Sequence, residues 1–434
     1  MIIKKYIDFI KAYLYASRWL FKKYSLKEQI ASIRVGGGTE FMNYLINYPQ
    51  VIENYESIVK RLKVERKKRK LRVCFLVSEA AKWNMQFLYE ELLCNDEFYP
   101  FIVVTNVKKS ENWPSYQHLL DYYRTVAENV EVGWDEDYKQ CIDLKQFSPD
   151  VVFYQQPWYI YPNQDVSYVS SFALTCYVSY AIEDPYIVAR GHLLNFYFLL
   201  SKYFVLNETY KAYFLSLCPF KISNIVSLDG HPKLDVYADY HPHNYIHKYV
   251  IYAPHHSIAN NTLRYGTFKW SGEFLLEWAK THPEIDWVFK PHPHFKLSLV
   301  EEGVFSQSEL DEYINEWQEL GIVYEDGNYF DLFKESRCMI TDCGSFLTEY
   351  LPTQMPVIHL CNSDSKEFSP TNAIIMKSYY KAFDIEELSI ILDEVVLKQN
   401  DPLKSDRIAV MERVGLKRFH ASAIITKELN KLLS

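Results

Sequence analysis

Tyr249-Val250-Ile251-Tyr252-Ala253 is a short strand-forming run that breaks into Pro254-His255-His256-Ser257, and the same pattern returns twice downstream. Trp287-Val288-Phe289 runs into Lys290-Pro291-His292-Pro293-His294, and Cys338-Met339-Ile340 runs into Thr341-Asp342-Cys343-Gly344-Ser345. Between and after them, residues 272–280, 308–320, 329–335 and 345–351 read as helices, with further strands at 322–324 and 357–360. Short apolar strands alternating with helices are what parallel βαβ units require, because each strand is covered on both faces. Ligands of such sheets bind beyond the carboxyl ends of the strands. All three polar loops fall at that edge, so their side chains are the first candidates for function.

Those loops supply a lysine (Lys290), four imidazoles (His255, His256, His292 and His294) and prolines that stiffen them. The third loop places Gly344 and Ser345 at a predicted helix start, where backbone N–H groups and the helix dipole favour a phosphate. The expectation is a diphosphate held between Lys290, His292 and residues 344–345.

Working outward, the first half has the same rhythm, with strands expected at 71–77, 100–105, 151–153, 176–178 and 203–206 and a helix at 83–93. The rhythm restarts after the loop 230–243. The predicted fold is therefore α/β, with two Rossmann-like domains, 71–240 and 241–434, joined near 235–248 and facing a cleft. The last helical segment, about 406–433, is expected to pack back on the first domain. Residues 1–70 form a helical N-terminal extension.

With 48% hydrophobic and 24% charged residues in a chain of 434, the composition excludes disordered and fibrous classes. The net charge of −8 conceals a split: residues 1–72 hold 17 Lys/Arg against 6 Asp/Glu, a surplus of +11, leaving −19 on the remaining 362. An acidic body argues against nucleic acid, whereas a basic arm suits an anionic surface. In the predicted helix 3–30, Lys4, Lys5, Lys11, Arg18, Lys22 and Lys23 interleave with aromatics in the manner of an interfacial helix. A second basic run follows at 60–70. The alternative for this segment is packing in a homo-oligomer. Gly36-Gly37-Gly38, with no Lys-Ser/Thr after it, is expected to be a linker or helix stop. The longest apolar run, 193–206, is broken by Asn195 and Lys202 and is too short to span a bilayer. Eight cysteines show no C-x-x-C or zinc spacing, which predicts reduced thiols, no bound metal and a cytoplasmic protein peripheral to the inner face of the membrane.

Tyr252-Ala253-Pro254, Lys290-Pro291-His292-Pro293, and Thr341-Asp342-x-x-Ser345 followed by Glu349 and Pro356-Val357-Ile358 resemble the CDP-glycerol glycerophosphotransferase family. Gly230-x-Pro232-Lys233-x-Asp235 is similar to that family's domain-junction stretch. The resemblance covers roughly 200–360. It implies the glycosyltransferase B fold, and attack of an acceptor hydroxyl on the β-phosphorus of CDP-glycerol with release of CMP. The acceptor would be a cell-surface glycan or a lipid-linked molecule, and no cofactor would be needed. By resemblance, His292 contacts the pyrophosphate, Ser345 and nearby amides bind its oxygens, and Glu349 lies near the ribose or base. Two features depart from the family. Ala253-Pro254 is followed by His255-His256-Ser257 rather than Thr-Trp-Arg, and the first-domain Trp-His-Gly that carries the presumed base is absent. Tyr180, Glu183, Asp184, His192 and His255 are therefore rival bases.

A second enzyme reading is a sialyl- or polysialyltransferase-like enzyme using a CMP- or UDP-linked sugar, for which Glu325-Asp326-Gly327 and His292-Pro293 would be the motifs. In those families the acidic motif precedes His-Pro, the reverse of the order here. A non-enzymatic scaffold for capsule assembly is the third reading, and it predicts no role for Lys290 or His292.

Overall fold

The computed structural model describes residues 37–106, 115–158, 160–182, 194–217, 224–258, 263–324, 328–416 and 418–434. The predicted helix 3–30 and the candidates Glu183, Asp184 and His192 lie outside these residues, as does the motif 325–327. The chain divides into two compact units, residues 1–235 with 419–434, and residues 236–418.

In the first unit seven parallel strands form one sheet. They are β1 (Leu71–Val77), β2 (Phe98–Val104), β3 (Val130–Val132), β4 (Val151–Tyr154), β5 (Leu174–Val178), β6 (Lys202–Val205) and β7 (Ile225–Ser227), in the order β3-β2-β1-β4-β5-β6-β7. Six of the seven β1 residues are buried, as expected of a strand covered on both faces. The chain leaves β1 to build one side of the sheet and returns beside it at β4 to build the other, so the loops after β1 and β4 flank a topological switch point.

A long helix, α1 (Gly37–Glu65), precedes β1. The glycines expected to stop a helix instead open one. The first-turn N–H groups of a helix have no intrahelical partner, so a glycine is least costly there. The basic run at the end of α1 is partly engaged within the unit. Arg61 donates to the Phe172 carbonyl at 2.7 Å, Arg66 pairs with Glu97, and Arg69 grips the buried Asp150 carboxylate through two nitrogens at 2.6 and 3.0 Å. The segment read as one helix, 406–433, is two. One, Lys404–Arg413, belongs to the second unit; the other, α2 (Ala421–Leu433), belongs to the first. Gly415 at φ +76° terminates the first of them, a conformation glycine adopts without penalty. Asp235 accepts from the N–H groups of Ala421 and Ser422, both at 2.8 Å, capping α2. Its Ile425, Leu429 and Leu433 join Ile58 and Leu62 in the core.

The second unit repeats the plan. Strands β8 (Tyr249–Ala253), β9 (Asp286–Phe289), β10 (Gly321–Val323), β11 (Ser336–Thr341), β12 (Val357–Leu360) and β13 (Tyr380–Ala382) are parallel, in the order β10-β9-β8-β11-β12-β13. Helices α3 (Phe268–Thr281) and α4 (Gln307–Leu320) cover them. Ser306 and Glu309 start α4 with a reciprocal capping box. The core is aromatic: Phe289 stacks on Trp317 at 5.1 Å, with Trp287, Tyr252 and Tyr313 around them. Among the described residues no helix is long and apolar enough to cross a membrane.

Candidate functional site

The switch point of the second sheet lies between β8 and β11, and the loops that follow these two strands meet there. Asp342, the first residue after β11, fastens them together. Its buried carboxylate accepts the His255 N–H at 2.6 Å, the Thr267 N–H at 2.6 Å and the Thr267 hydroxyl at 2.8 Å. Burial pushes its pKa up to about 6, against the pull of those donors. Thr341 ties the strands one step earlier, donating to the Ala253 carbonyl at 2.7 Å and accepting from the Cys343 N–H. Both residues, expected to bind a donor, hold these two loops together.

Around this clamp sit the four histidines. The ring centroids of His255 and His256 are 4.2 Å apart, those of His256 and His292 4.1 Å, and those of His255 and His292 5.2 Å; His294 is 5.7 Å from His292. Burial drives the His255 and His292 pKa well below the usual value, and lowers that of His256 to about 4, with neighbouring imidazoles adding to the effect. Lys290 contributes to the shift at His292. All three rings are neutral at pH 7.

Their proton positions follow from the backbone. The His294 N–H donates to His292 Nδ1 at 3.1 Å, and the Ser257 N–H donates to His255 Nδ1 at 3.2 Å. The Ser257 hydroxyl oxygen accepts the N–H groups of Tyr265 and Gly266, leaving its own hydrogen for His255 Nδ1 at 2.8 Å. A nitrogen that accepts such bonds carries no proton, so both neutral rings carry theirs on Nε2. This bears on a metal. His255, His256 and His292 bring one ligand atom each within 4.8 Å of one another, the grouping among the described residues that could hold an ion. A metal-ligating histidine normally donates through its other ring nitrogen, whereas here that nitrogen accepts from the chain. The rings are arranged to donate through Nε2, which suits an anion.

Lys290 is buried, its Nζ 4.5 Å from the centre of the Tyr329 ring and 5.1 Å from that of Phe346. Tyr329 donates its hydroxyl to the buried Glu349 carboxylate, a contact the sequence reading missed. Gly344 and Ser345 open the helix α5 (Gly344–Glu349). It is only six residues long, so its dipole is weaker than that of a longer helix. A Cβ on Gly344 would come within 3.3 Å of both Tyr265 and Phe368, rings that stack at 4.6 Å. The structure thus brings His255, His256, His292, His294, Thr341 and Asp342 together, with Lys290 coupled to His292. Tyr180 lies in the first unit, half-buried against Trp158.

No protein-family model and no curated protein sequence matches the chain. Solved structures do. The UDP-GlcNAc 2-epimerase of Neisseria meningitidis, bound to UDP-GlcNAc, is similar at TM-score 0.55 and 14% identity, over 83% of this chain and all of that one. A variant of the wall teichoic acid polymerase TagF, soaked with CDPG, gives TM-score 0.53 and 12% identity over 92% of this chain and 98% of that one. The UDP-GlcNAc 2-epimerase of Methanocaldococcus jannaschii gives TM-score 0.53 and 15% identity over 83% and 99%. At such identities the likeness concerns architecture alone. The chain has the glycosyltransferase B fold, two Rossmann-like units each wound in the same strand order.

Proposed function

We propose that this protein is a transferase that moves glycerol phosphate, or a related polyol phosphate, from a CDP-linked donor to a hydroxyl of a cell-surface glycan or lipid-linked acceptor, releasing CMP. The observation that carries the reading is the set of neutral imidazoles with Nε2–H groups at the switch point of the second unit. Phosphoryl transfer depends on neutralising charge and holding the groups in line more than on covalent chemistry. His255 and His292 supply preorganised donors to diphosphate oxygens, and Lys290 supplies positive potential behind them. The acceptor oxygen forms a bond to the β-phosphorus, the bridging P–O bond breaks, and the electron pair leaves on CMP. Because His255 and His292 already hold a proton on Nε2, they act as donors; the acceptor's proton goes to another base. Two similar structures were determined with UDP-GlcNAc and with CDPG, which agrees with a nucleotide-linked donor.

The +11 segment 1–72 would set the enzyme against an anionic leaflet, where a lipid-linked acceptor is presented. The alternative, a sugar transferase using a CMP- or UDP-linked donor, shares the fold and the His292-Pro293 pair. One experiment separates them: purified protein incubated with CDP-glycerol, CDP-ribitol, CMP-sialic acid and UDP-sugars, scoring nucleotide release. CMP release from a CDP-polyol is expected. Turnover of only CMP-sialic acid or a UDP-sugar would replace this reading with the alternative.

A further inference from the structure

The first sheet has a switch point of its own, between β1 and β4, and it is furnished differently. A shallow pocket open to solvent lies there, lined among others by Ser78, Thr105, Gln155, Gln156, Trp158 and Gln164. Gln155 builds its rim. Its carbonyl oxygen accepts the N–H groups of Ser78 and Glu79 at 2.9 and 3.0 Å, while its amide donates to the Glu79 carbonyl at 2.7 Å and the Tyr123 hydroxyl at 3.0 Å. This fixes the backbone of Glu79 and so aims its side chain. The Glu79 carboxylate pairs with Lys82 at 2.6 Å, and Lys82 also donates to the Gln156 side-chain oxygen at 2.7 Å. The Lys82 ammonium lies 5.1 Å from the Trp158 ring centre and 5.2 Å from that of Tyr180, and the two rings meet edge to face at 5.5 Å. Trp158, Tyr180, Glu79 and Lys82 are all half-buried, so each presents part of its surface.

We propose that this pocket binds a neutral carbohydrate, stacked on Trp158 with its hydroxyls read by Gln156, while Tyr180 and Glu79 extend the site beside the pocket. A pyranose has an apolar C–H face that packs on an aromatic ring and a rim of hydroxyls that bonds to planar carboxylates and amides; this pocket offers both. A carboxylate can accept about four hydrogen bonds, of which Lys82 takes one, leaving acceptor capacity for a ligand. The charge argument sets the class. Glu79 cancels Lys82, and among the described residues none that lines the pocket is acidic or basic, so these residues supply no uncompensated cation for a phosphate or sialate. The proposal rests on the transferase reading only in naming this carbohydrate as the acceptor.

The test is binding of full-length protein to an array of neutral and acidic glycans, with CMP and UDP titrated in parallel. Wild type is expected to bind a subset of neutral glycans. Trp158→Ala and Gln156→Ala are each expected to weaken that binding at least tenfold, with circular dichroism and thermal midpoint unchanged, while His292→Ala binds as wild type does. Should Trp158→Ala fail to fold, Gln156→Ala decides. Binding to no glycan, binding to acidic glycans only, nucleotide binding that Trp158→Ala abolishes, or glycan binding that neither substitution alters would overturn the proposal. Glycan binding without release of CMP from any CDP-linked donor would leave it standing and overturn the donor reading instead.

Discussion

Two residues in equivalent places do the same task with different chemistry. Gln155 follows β4 and Asp342 follows β11; each strand lies beside the first strand of its sheet, with Leu76 opposite Tyr154 and Ala253 opposite Thr341. Each side chain reaches across to the N–H groups of the loop after that first strand. One clamp is a neutral amide, and the pocket beside it is amides and aromatic rings around a cancelled Glu–Lys pair. The other is a buried carboxylate, and beside it cluster four imidazoles with a lysine behind them. The winding of the sheet decides where a site lies; the few residues after each strand decide what it binds.

The largest expected effect breaks the clamps themselves. Asp342→Ala leaves the buried N–H groups of His255 and Thr267 facing nothing, each costing about 1–3 kcal/mol, and the Thr267 hydroxyl with Ser271 alone. A loss of roughly 3–5 kcal/mol is therefore expected, confined to residues 236–418 and read by denaturant unfolding with hydrogen exchange. Gln155→Ala is expected to cost less, about 2–3 kcal/mol and in the first unit, because its partners lie nearer an open pocket that water can enter. Equal losses, or losses spread over both units, would remove the distinction between a charged and a neutral clamp.

The second test separates the sites by their kinetics. His292→Ala is expected to remove roughly 2–4 kcal/mol of transition-state stabilisation, a fall of about 10² to 10³ in kcat/KM for the CDP-linked donor, with acceptor KM little changed. Gln156→Ala is expected to do the converse, raising acceptor KM while donor hydrolysis in the absence of acceptor continues. If both substitutions lowered donor hydrolysis alike, the two pockets would not be functionally distinct.

How much of this the sequence showed depends on range. The strands and the three loops after β8, β9 and β11 were legible because alternation of apolar runs and polar breaks is local in the chain. The same holds for His255, His256, His292 and Lys290, which stand at those breaks. The functions of Thr341 and Asp342 were not legible, since a buried carboxylate binding a backbone 87 residues away looks, in sequence, like a ligand residue. Glu79, Lys82 and Trp158 were missed for the same reason. Ser78 and Glu79 merely follow the strand expected at 71–77, and nothing local joins them to Gln155 or Trp158. The basic run at 60–70 shows the converse, a surface-binding signature part of which the fold engages with Phe172, Glu97 and Asp150.

Acidity sharpens the comparison from another side. In the second unit His256 and His359 titrate near 4, and His255 and His292 well below their ordinary value, all because burial disfavours the cation. Unfolded histidines take up protons near pH 6.5 while these do not, so stability is complete above that pH and is lost as pH falls toward 4, by up to about 1.4 kcal/mol per unit for each ring. Asp342, raised to about 6, opposes this: between about 4 and 6 the folded carboxyl holds a proton that the unfolded one has released, so its contribution falls as pH rises. Several histidines outweigh one carboxyl, and net destabilisation is expected between pH 6.5 and 4.5. In the first unit burial lowers His231 to about 3, a single ring against several, so that unit should respond less. Hydrogen exchange resolved by unit at pH 7 and pH 5 checks it, and His256→Asn should flatten the slope in the second unit alone.

The basic surplus belongs to the first unit, and its effect is smaller still. Each Lys or Arg near an anionic leaflet contributes about 1 kcal/mol, but Arg61, Arg66 and Arg69 are already engaged, so attachment depends on the residues before them and on exposed Lys60, Lys63, Lys67 and Lys68. Co-sedimentation with anionic vesicles that falls at high salt is expected, and a chain starting at Leu71 should lose it. Equal recovery with neutral vesicles would assign the segment to packing or oligomer contacts.

The smallest expected effect is none, and it probes the feature that most separates the two pockets. Three imidazoles within reach of one ion would ordinarily invite zinc. To ligate it through Nε2, His292 would have to move its proton to Nδ1, where the His294 N–H already points at 3.1 Å, and His255 would meet the same conflict with Ser257. Coordination therefore has to break two loop hydrogen bonds before it gains a ligand, whereas a diphosphate oxygen accepts from Nε2–H with the loops as they stand. Exhaustive chelation should leave donor turnover unchanged, and added zinc should not raise it. Loss of turnover on chelation, restored by one metal per chain and abolished in His256→Ala, would show that the rings switch tautomer and that the site is a metal centre.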